Sequence, residues 1–96
     1  MTIMATENLE IHMKDLKVKL QDGKVIIGKE RVLKNLREKN LAKLFLASNC
    51  PRELKEDLVN LAKFVKVPVI ELTLNNEELG LFCKKNFFIA VLATTE

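Results

Sequence analysis

The chain is poor in the residues that build metal sites and covalent cross-links. Its 96 residues contain no tryptophan, no tyrosine, one histidine and two cysteines. Two cysteines cannot form a disulfide scaffold, and with a single histidine they cannot complete a four-ligand zinc site. We therefore expect a reduced, cytoplasmic setting and neither a metal nor a cofactor.

Catalytic nucleophiles and phosphate-binding loops are equally scarce. Ser48 is the only serine, and no histidine is near it in the sequence. His12 lies among apolar residues of a predicted helix, where a structural role is commoner than a catalytic one. Cys50 precedes a predicted helix, a position that can lower a thiol pKa, but a packed cysteine is the commoner case. Three isolated glycines match neither the P-loop nor the dinucleotide fingerprint. The sequence predicts no enzyme and no small-molecule substrate.

Long hydrophobic runs are absent as well. The longest uncharged apolar stretch is residues 86–93, far short of the roughly 20 residues that cross a bilayer. No basic segment followed by an apolar run marks a signal peptide at the N-terminus. With 48% hydrophobic and 30% charged residues, the composition is that of a folded chain without a membrane partner. We expect a disordered tail over residues 1–6 and a single domain over residues 7–96.

Positive charge is concentrated in one part of the chain. The overall net charge is +3, but residues 24–52 alone carry eight basic and two acidic residues, a net +6. The flanking residues 1–23 and 53–96 carry −1 and −2. Such a block is typical of a surface that faces a polyanion, most often a nucleic acid. A solvated helix face would explain the charge alone equally well.

Helical periodicities alternate with short apolar segments along the sequence. The helical patterns include residues 9–20, 28–38, 54–65 and 77–82, and the strand-like segments are residues 24–27, 43–47, 67–72 and 87–93. The order αβαβαβαβ, with short connections and apolar strands, predicts a sheet covered on both faces by helices. We therefore expect an α/β fold of the three-layer α/β/α sandwich type.

Three strand-to-helix loops are expected to open at one end of this sheet, where α/β proteins bind ligands. They begin at Gly28, at residues 48–52 and at residues 73–76. Gly28 starts a helix whose free N–H groups can receive a phosphate. Lys29 and Arg31 in the first turn oppose the helix dipole, and an anionic partner would relieve this repulsion. A glycine that only caps the helix is the alternative.

Three segments together resemble a known family. They are residues 28–34 (GKERVLK), 42–51 (AKLFLASNCP) and 75–80 (NNEELG). Their order and spacing are similar to those of the eukaryotic and archaeal large-subunit ribosomal proteins numbered thirty. That family belongs to a superfamily that binds kink-turns, which are sharply bent RNA duplexes with a bulge next to tandem G·A pairs. The resemblance covers residues 16–93 and implies a mixed four-stranded sheet.

The resemblance also implies partners and a binding site. The partners are kink-turn RNA, in particular ribosomal RNA, and neighbouring ribosomal proteins. Gly28 would approach a phosphate, residues 29–31 would face the G·A groove, residues 74–77 would cover bulged nucleotides, and Phe87 would stack on a base. The implied RNA-binding residues are Gly28, Lys29, Glu30, Arg31, Lys34, Ser48, Asn49, Cys50, Arg52, Leu74, Asn75, Asn76, Glu77, Lys85 and Phe87.

Four positions depart from the family pattern. Glu30 stands where lysine or asparagine is usual, and Arg31 where glutamine or glutamate is usual. Lys84 replaces a common glycine, and Phe88 a common basic residue. Of the adjacent Phe87 and Phe88, we expect one to lie in the core. These differences bear on base specificity rather than on the RNA-binding class.

Two other functions are compatible with the same residues. One is a free-standing kink-turn binder of a small ribonucleoprotein, and the other is a protein-docking module on the same fold. The basic block, with Lys29 and Arg31, favours RNA over docking.

Overall fold

The computed structural model describes the backbone of residues 3–4 and 9–95 and the side chains of residues 11–95. These residues form four helices and five strands. In chain order they are β1 (Ile3–Met4), α1 (Leu9–Gln21), β2 (Val25–Ile27), α2 (Lys29–Arg37), β3 (Lys43–Leu46), α3 (Arg52–Val65), β4 (Val69–Glu71), α4 (Asn76–Phe82) and β5 (Val91–Thr94).

The strands form one mixed sheet in the order β1-β4-β3-β5-β2. Strands β1, β4 and β3 are parallel, whereas β5 runs antiparallel to both β3 and β2. Because β2 and β3 share the antiparallel partner β5, they point in the same direction. The carboxyl ends of β2, β3 and β4 therefore lie at one edge of the sheet, together with the start of β5.

Helices cover both faces of the sheet, as the sequence predicts. Successive residues of a strand point to opposite faces, so Leu44 packs on one side of β3 and Phe45 on the other. The α2 and α3 side contains Val32, Leu36, Leu58 and Ala62. The α1 and α4 side contains Leu16, Ile70, Leu79 and Ile89. The predicted α/β/α sandwich is confirmed.

The last strand begins later than its sequence suggests. Residues 87–90 form a loop, and β5 starts at Val91. Phe87 and Phe88 are 51% and 68% exposed, so the expectation that one of them lies in the core is wrong. Ile89, only 2% exposed, fills the core position instead. An apolar loop ahead of an apolar strand cannot be separated from it by hydrophobicity alone.

The N-terminal segment adds a strand that the sequence does not predict. Ile3 and Met4 pair in parallel with Val69 and Ile70, so the sheet gains a fifth strand at its edge. The sequence could not predict this strand, because two residues are too few to show alternation. The two paired residues lie within the segment 1–6 for which we expect a tail. The rest of that segment lies outside the described residues.

Candidate nucleic-acid interface

The three loops predicted to form a site do meet at one edge of the sheet. They follow β2, β3 and β4, and we call this side of the molecule the loop edge. The backbone N–H of Ser48 donates to the carbonyl oxygen of Leu74 at 2.7 Å, joining the second loop to the third. The backbone N–H of Gly28 donates to the carbonyl oxygen of Val91 at 3.4 Å, joining the first loop to β5.

A fourth segment, residues 85–90, completes the loop edge. The backbone N–H of Ile89 donates to the carbonyl oxygen of Asn76 at 3.0 Å, and that of Ala47 donates to Ala90 at 2.9 Å. Residues 87–90 of this segment were expected to be strand, yet they include the exposed Phe87 and Phe88. The loop edge therefore gains two aromatic rings beside the predicted polar loops.

Gly28 has a backbone conformation that side chains rarely adopt. Its φ of 106° and ψ of 143° lie in a region that is essentially restricted to glycine. As the residue before α2 it has no side chain to cap the helix, so the first-turn N–H groups of α2 lack a side-chain partner. This is the arrangement in which a helix start can bind an anion.

Gly28 lines a groove of about 470 Å³ that combines charge with aromatic surface. We call it the Gly28 groove. Its other lining residues are Ile27, Lys29, Arg31, Leu54, Lys85, Phe87, Phe88, Ile89, Ala90 and Val91. Among the described side chains, the ion pairs are Lys43–Asp15, Arg52–Glu56 and Lys55–Glu71. None of the three cations that line the Gly28 groove belongs to these pairs.

The rest of α2 presents a second surface of mixed charge, which we call the outer α2 surface. Val32 and Leu36 are fully buried, whereas Glu30, Lys34 and Arg37 are exposed. Glu30 and Lys34, one turn apart, line a shallow depression with Leu33, Arg37 and Glu38. The structure therefore separates Glu30 and Lys34 from the groove that holds Lys29 and Arg31.

Asparagine side chains join the loops after β3 and β4, and we call this part of the molecule the second side of the loop edge. The Asn49 side chain makes two hydrogen bonds to Asn76, across the second and third loops. Asn75 caps α4 by accepting from the Glu78 backbone N–H at 2.8 Å, and the Glu78 carboxylate accepts from the Asn75 N–H at 3.0 Å. The start of α4 is thus satisfied internally, unlike that of α2.

Cys50 is less available to a ligand than its position suggests, whereas Arg52 is exposed and paired with a neighbour on α3. Cys50 is half-buried, and burial raises the pKa of its thiol, with Lys55 opposing that effect. The thiol is therefore protonated at pH 7, whereas an activated cysteine would have a lowered pKa. The Arg52 guanidinium pairs with Glu56 at 2.9 Å, which partly neutralises its charge.

Gly80 makes a close backbone contact with the loop edge that the sequence does not predict. A Cβ atom on Gly80 would overlap the carbonyl oxygen of Phe87, so α4 and the Phe87 segment touch backbone to backbone. The N–H of Lys85 also donates to the Gly80 carbonyl at 2.9 Å. An isolated glycine inside a helical pattern was the available signal for such a close approach.

His12 lies away from the loop edge. This α1 residue is buried beside Lys43, the first residue of β3, whose Nζ is 3.3 Å from His12 Nδ1 and 3.0 Å from Asp15 Oδ2. Burial and then Lys43 lower the pKa of His12, and Asp15 opposes them. The described residues hold no cluster of His, Cys, Asp or Glu suited to a metal ion. In the same part of the chain, no helix has the length and hydropathy of a membrane span.

The chain belongs to the Ribosomal protein L7Ae/L30e/S12e/Gadd45 family, which it matches over residues 11–96. It is 34% identical over 86 residues to large ribosomal subunit protein eL30 of Methanocaldococcus jannaschii, covering 90% of this chain and 77% of that protein. It is 35% identical over 81 residues to eL30 of Archaeoglobus fulgidus, covering 84% and 90%. The family resemblance predicted from residues 28–34, 42–51 and 75–80 is confirmed.

Solved structures show the same fold. The Giardia lamblia 15.5 kD RNA binding protein superposes with a TM-score of 0.82 at 16% identity, covering 98% of this chain and 78% of that chain. A Bacillus halodurans protein of unknown function superposes with a TM-score of 0.79 at 19% identity, covering 88% and 83%. At these identities the likeness concerns the fold alone.

Proposed function

We propose that this chain is a non-enzymatic RNA-binding protein of the large ribosomal subunit that recognises kink-turn RNA. One observation carries the proposal: an uncapped helix start, unpaired cations and exposed aromatic rings share the Gly28 groove. The family membership, the relatives named as large-subunit proteins and the neighbour named as RNA-binding support it. The proposal locates the protein with ribosomes in the cytoplasm, beside other ribosomal proteins.

The groove offers each part of a nucleotide a matching group. A phosphate would approach the α2 start at Gly28, where N–H groups and the helix dipole favour an anion. Lys29 and Arg31 add positive charge within the first turn. Phe87 is exposed enough to stack on an unpaired base, the usual way that proteins bind splayed RNA bases.

The mechanism we infer is selection of the bent RNA conformer. The Gly28 groove and the Asn49–Asn76 side are held together by hydrogen bonds between loops. A straight duplex would reach one of these surfaces, whereas a kinked one would reach both. Because contacts made only with the kinked form shift the equilibrium toward it, the protein would stabilise the kink.

The deciding experiment compares a kink-turn RNA with the same RNA in which the tandem G·A pairs are replaced by Watson–Crick pairs. We expect binding to weaken by at least about tenfold, roughly 1.4 kcal/mol, when the G·A pairs are lost. Equal affinities would reject kink-turn recognition and leave only general attraction to a polyanion. Cosedimentation with large ribosomal subunits in high salt then separates a ribosomal protein from a free-standing binder.

A further inference from the structure

A second groove lies beside the loop edge, between α1, β2 and the C-terminal end of α4. We call it the α1–α4 groove, and its volume is about 550 Å³. This volume lies within the roughly 300–1,000 Å³ typical of ligand sites. The apolar part of its wall is formed by Leu20, Val25, Ile27, Phe82 and Cys83.

The charged residues of the α1–α4 groove are all cationic. Lys17, Lys84 and Lys85 line it, and no carboxylate does. The Cys83 thiol adds no charge at neutral pH, since burial raises its pKa to about 11, with Lys85 opposing. An apolar surface edged by three ammonium groups is complementary to a flat base that carries phosphates on either side.

Lys84 has an unusual backbone for a residue with a long side chain. Its φ is 58°, in the left-handed region that glycine adopts with less strain. It directly follows Cys83, the residue that caps α4, where glycine is the favoured choice. The ammonium group therefore stands at the groove although glycine would suit the backbone better.

The two grooves are continuous. Ile27 and Lys85 line both the α1–α4 groove and the Gly28 groove. The strand β2 connects them, with Val25 in one, Ile27 in both and Gly28 in the other. No carboxylate lines either groove, so a polyanion could pass from one to the other without meeting a like charge at the surface.

We propose that the α1–α4 groove binds one unpaired nucleotide of an RNA strand that continues past the loop edge. The base packs on Phe82 and its apolar neighbours, and the adjoining phosphates contact Lys84, Lys85 and Lys17. This inference rests on the proposed function, because RNA bound in the Gly28 groove places its next nucleotides at the α1–α4 groove. It extends the RNA footprint from the loop edge along β2 and makes single-stranded flanks part of the recognised target.

The test uses the full chain and kink-turn RNAs with and without a single-stranded extension of about eight uridines, placed on each strand end in turn. We expect at least one extension to tighten wild-type binding about fivefold or more. The Lys84→Gly variant should lose this gain and still fold, because glycine suits φ 58°. On the extended RNA, the slope of log affinity against log salt concentration should be shallower for this variant than for the wild type, by about 0.7.

A matched control separates the groove from general charge. Lys66 also has a left-handed backbone, φ 62°, but follows α3, so Lys66→Gly makes the same chemical change elsewhere. The inference is supported if Lys66→Gly keeps the extension gain, and overturned if both variants lose it equally or the wild type shows none. An extension of abasic nucleotides should give a smaller gain than uridines, and an equal gain would overturn the base contact.

The outcome is independent of the test for kink-turn recognition. Failure of the proposed function appears as equal binding of the unextended RNA with and without its G·A pairs. Failure of this inference appears only in the difference between extended and unextended RNAs.

Discussion

Asn49 holds Asn76 through both ends of its side-chain amide. The Asn76 backbone N–H donates to Asn49 Oδ1 at 2.8 Å, and Asn49 Nδ2 donates to Asn76 Oδ1 at 3.0 Å. The two residues are 27 positions apart, so this pair fixes the loop after β3 against the start of α4. The second side of the loop edge depends on it for its shape.

Replacing Asn49 with alanine should therefore weaken both folding and kink-turn binding. Each lost hydrogen bond lowers the free energy of unfolding by about 1 kcal/mol, whereas the released loops no longer match the RNA. We expect at least about a tenfold loss of affinity, measured by titration, beside a urea unfolding curve. Asn60→Ala, on the exposed side of α3, is the control and should change neither. Unchanged affinity in Asn49→Ala would contradict the prediction.

Gly80→Ala should displace the Phe87 segment. The added Cβ overlaps the Phe87 carbonyl oxygen, and relief of that overlap has to move one backbone away from the other. We expect about 1–3 kcal/mol of lost stability and weaker RNA binding in the fraction that remains folded. Thermal unfolding and titration of the same samples separate the two effects. Leu81→Ala, next to it but exposed, should leave both nearly unchanged.

The aromatic ring of Phe87 can be tested against that of Phe64. Both rings are exposed, by 51% and 83%, so removing either should change stability little. Stacking on one base contributes about 1–3 kcal/mol, and Phe87→Ala should weaken kink-turn binding by about fivefold to a hundredfold. Phe64→Ala, on α3, should bind like the wild type. Equal effects of the two substitutions would remove Phe87 from the interface.

A substitution at Lys34 tests whether the outer α2 surface contacts the RNA backbone. Lys34 lies with Glu30 outside the Gly28 groove. If it contacts one phosphate, Lys34→Ala should reduce the slope of log affinity against log salt by about 0.9. Lys63→Ala, an exposed lysine of α3, should keep the wild-type slope. The same slope in both variants would assign Lys34 to solvent.

The buried thiol of Cys83 should make stability fall at high pH. Burial raises the pKa of this thiol from its ordinary value near 9 to about 11, so the folded protein keeps the proton that the unfolded chain releases. Its contribution is complete below pH 9 and is lost as the pH rises toward 11. The loss amounts to at most about 2–3 kcal/mol in the free energy of unfolding.

Urea unfolding of the wild type and of Cys83→Ala checks this prediction. The curves are measured at several pH values over about two pH units, centred roughly on the ordinary thiol pKa. The difference between their unfolding free energies should shrink as the pH rises. A constant difference would mean that Cys83 does not ionise differently in the two states.

Much of the fold was predictable because it depends on local periodicity. Leu36 on α2 and Leu58 on α3 each belong to a helical repeat of apolar residues, and both are fully buried as the sequence predicts. The ends of β5 were not predictable, since Phe87 and Phe88 are as apolar as the strand that follows. In the structure the Phe87 backbone packs against Gly80, a contact between positions that no local pattern relates.

Part of the candidate site was predictable from the sequence, and part required the tertiary structure. Gly28 was identified from its place between a strand and a helix, and Lys29 and Arg31 from their conflict with the helix dipole. The tertiary structure was needed to separate Glu30 from these residues and to place it with Lys34, one turn further on. The bond between Asn49 and Asn76 required the tertiary structure, because each asparagine by itself predicts only a turn. Their contacts with RNA stay predictions.

The position of β5 also determines when the sheet can form during synthesis. Val25, Ile26 and Ile27 of β2 have their sheet partners in Thr94, Ala93 and Leu92. Within the described residues β2 pairs only with β5, so β2 cannot join the sheet until β5 has been synthesised. The basic helix α2 is therefore synthesised well before β2, the strand that precedes it, can gain its sheet partner, and this edge of the sheet forms only once β5 has been made.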